Sequence, residues 1–202
     1  IIGETLDDAA GECFDKTARI LGLGFPGGPA IAALADKLPS FAPQSGASEG
    51  KQIKLPRPMI NSKDFNFSFS GLKTAVLYSY KGKNKPPHQK LWCGGKSAMA
   101  YEIQEAIIDV LVAKTLQVIK KFQPKTVMIA GGVAANKRLR ECLAEKIAPY
   151  KITFSLPELS YTTDNAAMIA AAGYFNYLKK SDSWRTKKDS WKKIEANANL
   201  SL

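Results

Sequence analysis

The segment from Val127 to Asn136 combines residue types that can hold a phosphorylated ligand. We predict a short apolar strand over Lys125–Ala130, a turn at Gly131 and Gly132, and a helix from Ala134 to about Ala148. Glycines at such a turn let backbone N–H groups approach an anion, and the helix dipole favours negative charge there. Asn136, about one turn into this helix, could then bond a sugar or a base edge. The alternative is an ordinary strand–helix turn with a packing pair of glycines.

Two carboxylates lie three residues apart on the first predicted helix, Thr5 to about Leu21. A carboxylate such as Asp15 can accept hydrogen bonds from both hydroxyls of a ribose, and Glu12 shares its helix face. The alternative is a solvated helix face on which Asp15 pairs with Arg19 four residues later. Gly28, in the following Pro-Gly-Gly-Pro turn, either lets a flat ligand lie on the backbone or only permits the turn.

Serine and acidic residues occur at two further junctions. Ser70 stands where an alternating Phe-rich strand meets a helix, but the single histidine, His88, lies in a basic loop, so a serine triad is disfavoured. Ser70 either contacts a substrate or only shapes that junction, and we expect the second. Asp164 stands at the start of the last predicted helix. It is either a capping carboxylate or one ligand of a metal site whose other ligands come from elsewhere.

Charge and cysteine usage narrow the class of protein. Twenty-nine Lys and Arg residues against eighteen Asp and Glu give a net charge of +11 over 202 residues. Lysines concentrate in the loop around residues 81–90 and in the tail beyond residue 181, which indicates either a polyanionic partner such as nucleic acid or simply solvated loops. Three dispersed cysteines suit a reducing compartment, so we expect a cytoplasmic location, with an organelle as the alternative. No apolar stretch is long enough to cross a bilayer, and no membrane partner is expected.

The periodicity of apolar residues predicts alternating strands and helices, and therefore an α/β layered fold. Thr5 is the predicted N-cap of the first helix, Asp7 and Asp8 its dipole partners, and Gly22 its end. The remaining predicted elements are a strand end at Ile1–Ile2, a strand over residues 65–69, a helix from Ser70 into the basic loop, a long helix over Ser97–Phe122, a strand over Lys151–Ser155, and a helix over Asn165–Lys179 capped by Thr163.

Four segments in a fixed order resemble the TsaD family of tRNA threonylcarbamoyladenosine transferases. They are GETLDDAAGECFDKTARILGLGFPGGP, FNFSFSGLKTAV, AGGVAANKRLR and TTDNAAMIAAAGY. The resemblance covers roughly residues 1–178 and implies the ASKHA fold of actin, heat-shock ATPases and sugar kinases, in which two α/β lobes enclose a nucleotide. It further implies that residues 1–160 form the second lobe and that residues 161–180 form a helix returning to a first lobe outside this chain. Residues 181–202 are expected to be a basic tail because of their lysine content.

The resemblance also implies roles for individual residues. Asp15 and Gly28 match residues that hold the adenosine of threonylcarbamoyl-AMP, and Asn136 matches a further substrate contact. Gly131 and Gly132 match the loop near the phosphate. The last matched site is Asp164, a carboxylate that shares one divalent ion, Fe(II) or Zn(II), with ligands outside this chain. Ala32 departs from an acidic position of the family, and Glu12 could supply the lost ribose contact.

The implied activity is the transfer of a threonylcarbamoyl group from threonylcarbamoyl-AMP to the N6 amine of adenosine 37 in ANN-decoding tRNAs, with accessory protein subunits as partners. No side chain here is an obvious general base, so the catalytic residues are not assigned. The alternative, from another class, is that the chain is a non-catalytic nucleotide-binding or interaction lobe of an ASKHA protein.

Overall fold

A computed structural model describes residues 1–37, 54–81 and 95–179. The predicted basic loop and the basic tail of residues 181–202 lie outside these ranges, apart from Lys81 at a helix end. The described elements are helices α1 (Ala10–Ile20), α2 (Gly27–Ala35), α3 (Ser70–Lys81), α4 (Gly95–Phe122), α5 (Lys137–Ile147) and α6 (Ala166–Lys179), and strands β1 (Thr126–Met128) and β2 (Thr153–Ser155). Among the helices described, none combines the length and apolar character that a bilayer span requires.

Helix α4 forms the centre of the larger core. Its 28 residues give it a length of about 42 Å, and Met99, Ile103, Ala106 and Val110 recur at helical spacing along one buried face. This face packs with the buried sides of α1, α2 and α3. The predicted helix over Ser97–Phe122 is thus confirmed. It ends at Phe122, two residues before Pro124, because proline cannot continue a helix.

A second cluster covers the other side of α4 and includes the sheet. Ile108, Val112 and Ile119 of α4 are buried with apolar side chains of α5, and the inward residues of the two strands, Val127 and Phe154, pack against them. The strands pair in parallel with Val127 opposite Phe154. Both were predicted at these places, although each is only three residues long.

The predicted start of the first helix is wrong. Helix α1 begins at Ala10 with Ala9 as a cap that lacks a side-chain hydrogen bond, whereas Thr5 forms an isolated parallel bridge with Phe67. The predicted strands at Ile1–Ile2 and residues 65–69 reduce to this bridge, because only the backbone around Glu4–Leu6 and Phe67 exchanges hydrogen bonds there. The end of the helix is as predicted: Gly22 takes φ +69°, and the N–H of Leu23 bonds to the carbonyl of Ala18.

The chain divides into two compact units, Ile1–Thr162 and the residues from Thr163 onward. In the second unit, α6 is present as predicted, but its N-cap is Asn165, whose Oδ1 accepts from the N–H of Met168 at 2.9 Å. Thr163 was predicted to cap and lies too far before the first turn to do so. The assignment of the units to lobes of a larger fold stays a prediction. The described residues themselves form an α/β protein with a small parallel sheet.

Candidate functional site

Asp15 joins the first two helices. Its Oδ1 accepts a hydrogen bond of 2.6 Å from the N–H of Gly27, the first residue of α2, and its side chain is half-buried. A Cβ on Gly27 would lie 2.5 Å from the Cα of Asp15 and 2.8 Å from the carbonyl oxygen of Phe14, so only glycine fits. The alternative pairing with Arg19 does not form between these two side chains. Oδ2 of Asp15 makes no hydrogen bond to the residues described and can accept donors from a ligand.

The glycine turn after β1 lies against the same face of α1. A Cβ on Gly11 would be 3.5 Å from Cγ2 of Val133, and Gly11 precedes Asp15 by one helical turn. Gly131 has φ +80°, a conformation that favours glycine, and a short 3-10 turn over Gly132–Ala135 follows it. One face of α1 therefore contacts both the turn after β1 and, through Asp15, the start of α2. Gly28 is the next residue of α2, with open space around its Cα.

Both polar atoms of the Asn136 side-chain amide are hydrogen-bonded within the chain. Asn136 is the N-cap of α5, where its Oδ1 accepts from the N–H of Leu139 at 3.0 Å, and its Nδ2 donates to Oε1 of Gln104 at 2.9 Å. Gln104 belongs to α4 and is 3% exposed. The predicted position one turn into a helix is wrong, because the 3-10 turn delays the start of α5. Sequence reasoning missed Gln104, although a polar residue within a buried face of α4 signals a partner.

Glu12 is committed to an ion pair. Its Oε1 lies 2.7 Å from the Nζ of Lys16, which also contacts Asp8 at 2.5 Å. Hydrogen bonds to these two carboxylates, that of Asp8 first, raise the pKa of Lys16. Glu12 remains half exposed, so it keeps a free edge toward solvent. A ribose contact by Glu12 would have to share the carboxylate with Lys16.

Asp7 organises the serine motif. Its carboxylate accepts from the hydroxyls of Ser68 and Ser70 at 2.5 and 2.6 Å and from the N–H groups of Phe69 and Ser70. Burial alone would raise the pKa of Asp7, but the serine hydroxyls, and after them the two backbone N–H groups, lower it to about 2. Asp7 was predicted to serve the dipole of α1, and it serves the start of α3 instead. The hydroxyl of Ser70 therefore bonds within the junction, and a substrate contact by Ser70 stays a prediction.

Replacing Asp7 with asparagine should lower the free energy of unfolding at neutral pH. It should also remove the part of the pH dependence of stability that arises from this carboxylate. Because folding lowers the pKa of Asp7 from 3.8 to about 2, its contribution is complete above the unfolded value and is lost as the pH falls through the folded value. We expect the difference in unfolding free energy between the wild type and Asp7→Asn to be constant above about pH 5 and to shrink below pH 4. Urea unfolding at a series of pH values measures it, and a difference independent of pH would contradict the assignment.

Asp164 is exposed in the second unit, one residue before the cap of α6. The described residues contain no group of three His, Cys, Asp or Glu side chains placed to hold a metal ion. They therefore do not form a ligand set by themselves, and Asp164 could contribute a single carboxylate ligand.

The described residues form an α/β protein in which the glycine turn after a parallel strand contacts the same face of α1 that carries Asp15. The family model described as TsaD, tRNA N6-adenosine threonylcarbamoyltransferase, matches residues 1–171. This chain belongs to that family, as the sequence resemblance predicted.

Curated relatives carry the same description over most of this chain. A tRNA N6-adenosine threonylcarbamoyltransferase of Thermosipho melanesiensis is 48% identical over 182 residues, which cover 90% of this chain and 50% of the relative. The relative from Thermosipho africanus is 46% identical, and the match covers 100% of this chain and 54% of the relative. The relative from Nitrosospira multiformis is 47% identical, and the match covers 86% of this chain and 46% of the relative. The chain thus spans about half the length of the curated relatives it matches.

Proposed function

We propose that this chain is the C-terminal, adenylate-binding part of an enzyme that transfers a threonylcarbamoyl group from threonylcarbamoyl-AMP to the N6 amine of adenosine 37 in tRNA. The names of its relatives support the reaction. The observation that carries the site is the shared face of α1, where Gly11 meets Val133 and Asp15 binds Gly27. The carboxylate of Asp15 and the glycine turn therefore lie on the same side of α1. There they can contact the ribose and the phosphate of one adenylate.

Each residue has a role of its own in this proposal. The free oxygen of Asp15 accepts a ribose hydroxyl, and the open backbone at Gly28 leaves room for the base. N–H groups at Gly131 and Gly132 approach the phosphate without Cβ obstruction. Asn136 acts by fixing the end of the glycine turn, since both ends of its amide are already bonded within the chain.

The transfer itself needs few reacting groups from this chain. The amine nitrogen of the adenosine forms a bond to the carbamoyl carbon, the bond from that carbon to the phosphate oxygen breaks, and AMP leaves with the bonding electrons. The amine loses its proton to water. The glycine turn stabilises the charge on the departing phosphate, and Asp15 keeps the nucleoside in register with the incoming amine. These are positioning and electrostatic contributions.

The remaining elements of the proposal extend beyond the described residues. The fold is the second ASKHA lobe, with α6 returning to the first, and the protein is cytoplasmic. Asp164 provides one carboxylate for a divalent ion, Fe(II) or Zn(II), and the other ligands come from elsewhere. tRNA and accessory subunits are the macromolecular partners.

Asp15→Asn should weaken AMP binding about tenfold, because a neutral amide replaces a charged acceptor of a ribose hydroxyl. Asparagine keeps an oxygen for the N–H of Gly27, so the fold should persist. Calorimetric titration of the chain with AMP measures the affinity, and thermal unfolding verifies the fold. The matched control is Asp36→Asn, which removes an exposed carboxylate at the far end of α2. Equal affinities for wild type and Asp15→Asn would refute the site.

A further inference from the structure

Five exposed lysines surround the C-terminal end of α4, at the end of the protein away from the glycine turn. We call this group the lysine surface; its members are Lys63, Lys120, Lys121, Lys125 and Lys151. They come from four separate segments of the chain: the loop before Phe65, the last turn of α4, the connection to β1 and the connection to β2. Their assembly is therefore a product of the fold and not of a run of lysines in the sequence.

Specific contacts hold these segments together. The Nζ of Lys121 lies 5.1 Å from the ring centroid of Phe65 and 5.5 Å from that of Phe122, and the two rings are 5.7 Å apart. Both rings attract the ammonium and limit its movement. The backbone carbonyl of Lys125 accepts a hydrogen bond of 3.0 Å from the N–H of Thr153. Lys125 and Lys151 therefore both lie at the end of the sheet where the two strands begin.

The charge of the lysine surface is not neutralised within the parts of the chain that the structure describes. The ion pairs found there use other cations, and no carboxylate of these ranges pairs with any of the five. The nearest carboxylate in sequence, Asp64, accepts instead from the N–H of Asn66 and from Lys114. Five positive charges without local partners raise the concentration of polyanions at this surface.

A helix C-terminus attracts cations, so part of this pattern has a simpler cause. The dipole of α4 accounts for Lys120 and Lys121 in its last turn. It does not account for Lys63, Lys125 and Lys151, which lie outside the helix and beyond the range of the last-turn effect. Gln123, Thr126 and Thr153 beside these lysines are polar, whereas Phe122 and Tyr150 are partly exposed. The ring of Phe122 already packs against Phe65 and Lys121, and two separated rings do not form the continuous apolar face that a lipid surface requires.

We propose that the lysine surface binds the phosphate backbone of an RNA, and, resting on the proposed function, that this RNA is the tRNA substrate. Phosphate groups are the partners that closely spaced lysines without carboxylates recognise, and such binding needs no base contact. Sixteen residues of α4 separate Gln104, which bonds Asn136, from Lys120, a rise of about 24 Å. The surface would thus engage the tRNA backbone away from the adenosine that reacts, and orient the tRNA relative to the glycine turn.

The test compares two triple variants with the same change of net charge. One replaces Lys121, Lys125 and Lys151 with glutamine, and the other replaces the exposed lysines Lys37, Lys54 and Lys96 elsewhere on the chain. Fluorescence anisotropy with labelled tRNA over a range of KCl concentrations gives the affinity and its salt slope. We expect the first variant to bind at least tenfold more weakly and to lose about two to three from the slope, and the second to change less than twofold. Equal effects of both triples would overturn the proposal.

Two further measurements separate the possible failures. If AMP does not bind the wild-type chain but the triples still differ on tRNA, the proposed function fails and the lysine surface stands. If AMP binds normally and the triples do not differ, the function stands and the surface fails. Sedimentation with phosphatidylserine vesicles tests a membrane: loss of vesicle binding by the first triple, with tRNA binding unchanged, would overturn the RNA assignment.

Discussion

Replacing Gly27 with alanine should lower the free energy of unfolding by about 2–3 kcal/mol. The added Cβ would lie 2.5 Å from the Cα of Asp15 and 2.8 Å from the carbonyl oxygen of Phe14. Both are backbone atoms of α1, so the clash can be relieved only if α1 and α2 move apart. Separation also lengthens the 2.6 Å bond from the N–H of Gly27 to Asp15. AMP binding should be lost together with stability, since the carboxylate would no longer be held.

The neighbouring glycine provides the control. A Cβ on Gly28 meets nothing within 4 Å, and alanine is a better helix former, so Gly28→Ala should leave stability unchanged or raise it by less than about 1 kcal/mol. Urea unfolding of the two variants under identical conditions measures the contrast. Similar stabilities for Gly27→Ala and Gly28→Ala would show that the helices do not meet as closely as described.

Asn136→Ala should cost about 2–3 kcal/mol of stability even without any ligand. Loss of the N-cap of α5 accounts for about 1 kcal/mol, and leaving the buried Oε1 of Gln104 without its donor accounts for about 1–2 kcal/mol more. A loss of AMP binding in this variant would therefore not by itself show that Asn136 touches the nucleotide. The measurement is urea unfolding of the free chain.

Two further variants distinguish the loss of the N-cap from the loss of the hydrogen bond to Gln104. Asn136→Ser keeps an oxygen that can cap the N–H of Leu139 and removes only the donor to Gln104, so it should be less destabilising than Asn136→Ala. In a cycle with Gln104→Leu, the two changes should couple, because the leucine removes the acceptor that the serine leaves unpaired. Additive effects in this cycle would mean that the amide bond between α4 and the turn contributes nothing.

Local sequence patterns predicted the elements that depend on near neighbours. The apolar repeat of α4, the glycine end of α1 and the strand–turn order around Gly131 are all set within a few residues of the chain. The fold class followed from them. The start of α5 was placed too early, because the sequence pattern could not distinguish a 3-10 turn from the first turn of an α-helix.

Predictions failed where a side chain had a choice of partners far along the chain. Asp7 sits where a first-turn acid would serve α1, but its partners Ser68 and Ser70 lie 61 and 63 residues away. The amide of Asn136 likewise meets a glutamine 32 residues earlier. Periodicity carries no information about such pairs, since they arise only when helices pack. The sequence indicated Asp15 as a carboxylate that binds a ribose, and that role stays a prediction. Its contact with Gly27 arises only where α1 and α2 pack together.

The buried lysine of α4 has an effect on the outside of the protein. Lys114 is 1% exposed, and its Nζ bonds to the hydroxyl of Ser62 at 2.5 Å and to the carbonyl of Asp64 at 2.6 Å. Lys63 stands between these two anchored residues, so the contacts of Lys114 restrain its backbone relative to the helix that carries Lys120 and Lys121. An interior cation thus holds the backbone of one lysine-bearing loop against the helix that carries two other lysines, although the loop and the helix end lie more than fifty residues apart in the chain.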